Sequence, residues 1–190
     1  MLVTVKIKGT TPLLMNRFTE EAQVKVSNGT SGTTLGAKGT PRQSAEKKVY
    51  ADDKGNLFIP GPNIFAAIIA AGKFHKCGKS KVTTLRSSLI PAGVALLDLA
   101  CPLGTKMFEV DSRSVVIPST GGRIMCHRPR LDEWKLSFTL DIDTEMFSPA
   151  LVRQIVDDAG KKVGLGDFRP DRRGPFGKFA VVEWKENKGS

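Results

Sequence analysis

Residues 164–179, GLGDFRPDRRGPFGKF, hold the densest set of side chains able to do chemistry. Arg169, Arg172, Arg173 and Lys178 supply positive charge, and Phe168 and Phe176 supply flat faces. Gly164, Gly166, Gly174 and Gly177 let a backbone come close to whatever the segment holds. Cations that follow phosphates, rings that stack on bases and glycines that admit a sugar-phosphate backbone make a single-strand nucleic-acid site. Asp167 and Asp171 lie among the cations and neutralise part of them. The plain alternative is a solvated turn whose glycines serve turn geometry alone.

Positive charge is segregated elsewhere in the chain. Lys and Arg number 29 against 19 acids, a net charge of +10. No Asp or Glu occurs over residues 54–97, which carry Lys73, Lys76, Lys79, Lys81 and Arg86. None occurs over residues 112–131, which carry Arg113, Arg123, Arg128 and Arg130. Clustered charge raises the local potential, so a polyanion is the expected partner: nucleic acid first, a membrane surface second. The longest apolar run, residues 64–71, is too short to cross a bilayer, and no membrane partner is expected. The N-terminus alternates apolar and polar residues like a strand and does not read as a signal peptide. Cys77, Cys101 and Cys126 have no regular spacing, which suits free thiols in a reducing cytoplasm.

Other chemistries are weaker. His75, Cys77, Cys126 and His127 are donors of zinc type, but no Cys-x-x-Cys frame holds them, and neither metal nor cofactor is expected. The same two histidines are the acid–base candidates for a 2′-hydroxyl attack, which makes an endoribonuclease the runner-up reading. Residues 72–80, GKFHKCGKS, fail as a phosphate-binding P-loop: the first glycine is one residue too far away and the segment follows a helix. Asp141 and Asp143 are expected to close a strand.

These groups need elements to position them. Residues 2–8 alternate and predict a strand. Residues 27–44, rich in Gly, Ser and Thr, predict a disordered loop. A hairpin turn at 52–56 precedes a helix whose Ile64, Phe65, Ile68 and Ile69 recur at helical spacing. Residues 94–99 and 107–110 read as strand segments, 112–130 as a basic hairpin, and 134–142 as a strand. Ser148 and Pro149 start a second helix, Gly164 ends it, and residues 179–184 form a last strand. The expected architecture is one α+β domain over 1–190: a ferredoxin-like (RRM-like) β-α-β-β-α-β core with an inserted loop and a thumb-like hairpin.

That order, with GLGDFRP and GPFGKF between the last helix and the last strand, resembles the RAMP superfamily. Within it, three features look most like the backbone subunit of CRISPR surveillance complexes: Asn16-Arg17 after the first strand, Asn56 to Pro62 leading into the first helix, and the insertion at 112–130. The resemblance implies a non-catalytic, cytoplasmic subunit that repeats in a helical array along a guide RNA, beside other subunits of the complex. It implies a largely sequence-independent grip on single-stranded RNA, with single-stranded DNA as the alternative. The implied contacts are Arg17, Lys73, Lys76 and Lys79; Arg113, Arg123, Arg128 and Arg130 on the thumb; and Gly164, Gly166, Phe168, Arg169, Arg172, Arg173, Phe176 and Lys178 in the loop. Ile117, Ile124 and Met125 form the expected thumb wedge. Besides the endoribonuclease, a virus-encoded subunit mimic that inhibits or caps such a complex fits the same resemblance.

Overall fold

A computed structural model describes residues 1–29, 39–116 and 121–187. Alternation builds the central strands. In β1 (Leu2–Gly9), Val3, Val5 and Ile7 are buried on one face, while Thr4, Lys6 and Lys8 take the other. The chain then forms β2 (Leu13–Leu14), α1 (Glu20–Ser27) and α2 (Pro41–Glu46). β3 (Phe58–Pro60) leads into α3 (Gly61–Ala71). The short pieces β4 (Lys76–Cys77), β5 (Ser80–Lys81), α4 (Ile90–Gly93), β6 (Val94–Leu96) and β7 (Ala100–Pro102) follow. A long hairpin, β8 (Glu109–Val116) and β9 (Arg123–Leu131), precedes β10 (Lys135–Ile142), α5 (Pro149–Asp158) and β11 (Phe179–Asn187).

The main sheet has the order β11-β1-β10-β6, with every neighbouring pair antiparallel. Its register joins apolar to apolar: Val3 faces Leu140, Val5 faces Phe138 and Ile7 faces Leu136. α3 and α5 cover that face with Ile64, Ile68, Val152, Ile155 and Val156, all buried. Phe138 lies fully inside, and cutting it to alanine would cost about 3–5 kcal/mol. The opposite face carries Thr4, Lys6, Ser137 and Asp141, with Lys6 paired to Glu183 at 2.7 Å. Among the described residues that face presents no aromatic ring. Base stacking of the RRM kind therefore has no platform on the sheet itself.

A second sheet, β2-β9-β8, stands beside the first. The hairpin is longer than residues 112–130, because pairing starts at Glu109 with Arg130. Met107 and Phe108, expected in a strand, precede it, and Met107 is exposed. Ile117, Ser119 and Thr120, read as wedge and turn, lie outside the described residues, as do residues 30–38 of the expected loop. At its far end that loop gives way to α2: Thr40 and Gln43 form a capping box around Pro41, a start signal that the Gly/Thr composition masks.

Candidate nucleic-acid interface

The site begins where α5 ends. After a wide turn over Ala159–Val163, Gly164 adopts a φ of +77° and reverses the chain. The glycine-rich loop then folds onto β2. Asp167 N–H donates to Leu14 O at 2.8 Å, and Gly177 N–H donates to Pro12 O at 2.8 Å. A Cβ on Gly166 would stand 2.3 Å from Leu14 O, and one on Gly177 would stand 1.8 Å from Leu165 O. These glycines thus admit the protein's own backbone.

β2 pairs with β9 on its other side, Leu14 opposite Arg130. Hairpin, β2 and glycine loop are therefore contiguous, and side chains lock them. Arg128, 9% exposed, places Nε 2.6 Å from Asp167 Oδ2, an ion pair without hydrogen-bond alignment. Asn16 Nδ2 donates to the same oxygen at 3.1 Å. Arg113 Nε donates to both oxygens of buried Asp111, which raises the Arg113 pKa, and its guanidinium lies 4.8 Å from the centre of the Phe176 ring. Phe176 is 7% exposed and sits 6.0 Å from Phe168, which is 36% exposed. Guanidinium, inner ring and outer ring form a ladder with the Phe168 ring at its exposed end. Phe168 has a φ of +48°, a conformation that bulky residues avoid.

The cationic residues separate into groups. Arg172 and Arg173 are exposed, with no side-chain partner among the described residues. Arg169 donates from Nη1 to Gly166 O at 2.9 Å. Lys178 is half-buried, held at its N–H by Thr11 Oγ1 at 2.9 Å. Lys73 reaches the loop through Asp171 at 3.1 Å. Register puts Arg113, Arg128 and Arg130 on one hairpin face and Arg123 on the other. Arg130 pairs with Asp132 at 2.8 Å. Met125 is 53% exposed on the Arg123 face, whereas Ile124 is half-buried on the Arg113 face. Lys76 and Lys79 belong to the separate β4–β5 hairpin. Arg17 follows β2, is exposed, and donates its N–H to Lys48 O at 3.0 Å.

A cleft of about 230 Å³ opens between β2, α3 and the glycine loop. Met15, Ile59, Ala66 and Ala67 give it an apolar lining; Asn16, Tyr50, Asn63, Asp167 and Arg169 line it with polar groups. Tyr50 and Asn63 carried no signal in the sequence: each stands alone, far from the loop it meets.

The histidines lie elsewhere. His75 Nε2 is 2.9 Å from Asp158 Oδ2, and His127 Nδ1 is 2.7 Å from Ser112 Oγ. Burial pushes the Asp158 carboxyl up, but Lys162 and His75 outweigh it and hold it below the usual carboxylate range. Among the described residues no group of three His, Cys, Asp or Glu side chains is placed to hold a metal. The three cysteines are free, and burial pushes the Cys101 thiol up to about 11, so it stays protonated. No helix among the described residues is long and apolar enough to cross a membrane.

The molecule is thus an α+β protein with a cleft beside the glycine loop, an outer Phe168 ring, and Arg172 and Arg173 exposed without side-chain partners among the described residues. Its fold is similar to a chain in the cryo-EM structure of the Type III-B Cmr-beta bound to cognate target RNA, with a TM-score of 0.52 at 11% identity. The match covers 97% of this chain and 59% of that one. No protein-family model and no curated protein sequence matches the chain.

Proposed function

We propose that this chain is a non-catalytic subunit that binds single-stranded nucleic acid, RNA first, in a CRISPR-type ribonucleoprotein of the cytoplasm. The strand order β11-β1-β10-β6 around α3 and α5 supports a ferredoxin-like, RAMP-type reading. One observation carries the function. The glycine loop and the arginine hairpin form one surface, joined at Arg128–Asp167 and Arg113–Phe176, with Arg172, Arg173 and the Phe168 ring left outward. Phosphates suit the arginine rim and a base suits the ring, so binding depends on backbone and stacking more than on sequence. The similar fold in an RNA-bound CRISPR structure supports the same partner class. A polymeric ligand favours copies arranged head to tail along it. Neither histidine lines the cleft, which favours binding over cleavage there.

The test is fluorescence anisotropy with a labelled RNA oligonucleotide across a salt series. Replacing Arg169, Arg172 and Arg173 by alanine should weaken binding about a hundredfold and lower the salt slope by about 2 to 3. Unchanged affinity and slope would overturn the reading. RNA turnover by the purified chain, abolished by His75→Ala or His127→Ala, would replace it with an endoribonuclease. A fold that binds no nucleic acid at low salt would leave the subunit mimic.

A further inference from the structure

The loop is cationic, but the charged groups that line the cleft are already engaged. Arg169 has its Nη1 already held by Gly166 O, and the Asp167 carboxylate is already paired with Arg128. A phosphate placed here would compete with Gly166 O for the Arg169 guanidinium. The lining that remains is of another kind. Ala66 and Ala67 put only methyl groups on the α3 surface, which leaves room for a flat group. Asn63 and Tyr50 line the same cleft, and neither side chain has a hydrogen bond among the described residues. An amide offers a donor and an acceptor in one plane, which is how an Asn side chain meets the edge of a base. At about 230 Å³ the cleft is smaller than the roughly 300–1,000 Å³ of drug-sized sites, and its size suits a single ring system.

The geometry points to a nucleobase subsite: one base of the bound strand enters this cleft and is read by Asn63 and Tyr50, while its phosphates stay on the arginine rim. The inference rests on the proposed single-strand binding. It adds that binding is not uniform along the strand, because one position per subunit carries a base preference.

Anisotropy with adenine, cytosine, guanine and uracil RNA homopolymers of equal length tests it at fixed salt. The best and worst should differ by about tenfold for the unmodified chain. Asn63→Ala and Tyr50→Phe should each shrink that spread, while leaving the salt slope, set by phosphate contacts, in place. Asn63 is exposed, so its replacement should leave the melting curve in place. Equal affinity for all four homopolymers, or a spread that survives both substitutions, would overturn the subsite and leave backbone binding standing. No binding to any of the four would overturn the binding function itself.

Discussion

The basic stretches 54–97 and 112–131 both lack acidic residues, and on paper they look alike. Folding treats them differently. In the second, Arg113, Arg128 and Arg130 each meet a carboxylate supplied from outside the stretch: Asp111, Asp167 and Asp132. In the first, Lys73 finds Asp171, but Lys76, Lys79, Lys81 and Arg86 stay exposed without ion pairs among the described residues. A run of like charge in sequence is therefore not a run of free charge in space. The arginine hairpin is a braced support for the glycine loop, and Arg172 and Arg173 on the loop itself carry no ion pair among the described residues. The lysine hairpin is a solvated patch without such bracing.

Breaking the brace should have the largest effect. Gly177→Ala forces a Cβ against Leu165 O at a φ of +71°, and we expect a loss of about 3 kcal/mol or more in urea unfolding. Arg128→Ala leaves Asp167 with Asn16 Nδ2 and the Phe168 N–H as its donors. Because Asp167 still reaches water, the expected cost is about 2 kcal/mol by the same measurement, below that of a fully buried pair. Stability unchanged by Arg128→Ala would show the hairpin and loop to be independent. The comparison sharpens in the next pair. Replacing Arg172 and Arg173 together by alanine should weaken RNA binding about tenfold with stability within about 0.5 kcal/mol, whereas replacing Lys76 and Lys79 should cost about twofold. Equal losses would erase the distinction between the regions. Phe168→Gly removes the strained φ of +48° along with the outer ring, so stability should stay near its starting value while affinity falls by about 1–3 kcal/mol.

The smallest effect concerns pH. Asp158 is held below the usual carboxylate range in the folded chain, so it stabilises above its unfolded pKa of about 4. That contribution fades as pH falls through the depressed folded value. Asp158→Asn should therefore narrow the loss in unfolding midpoint between about pH 6 and about pH 3.

Much was legible in the residues. Alternation in 2–8 and 134–142 announces the two central strands, because one buried face imposes a period of two. Ser148, Pro149 and Gly164 bracket α5, because caps act through local backbone groups. The start of α2 escaped notice, since its cap lies in a segment whose composition suggests no structure. The site was legible by half. Loop and hairpin declared themselves through charge and glycine, yet nothing local told that Arg128 would be consumed by Asp167 or Arg123 turned to the other face.

The order of local pieces, and which face of each is apolar, was thus set by the sequence, since period and capping depend on near neighbours. Which cations remain free, and that Tyr50, Asn63 and Asn16 line one cleft beside the glycine loop, was decided only by the tertiary structure. Charge pairing and cavity lining depend on distances in space, and these three residues come from segments that only the packing of β2, α3 and the loop brings together.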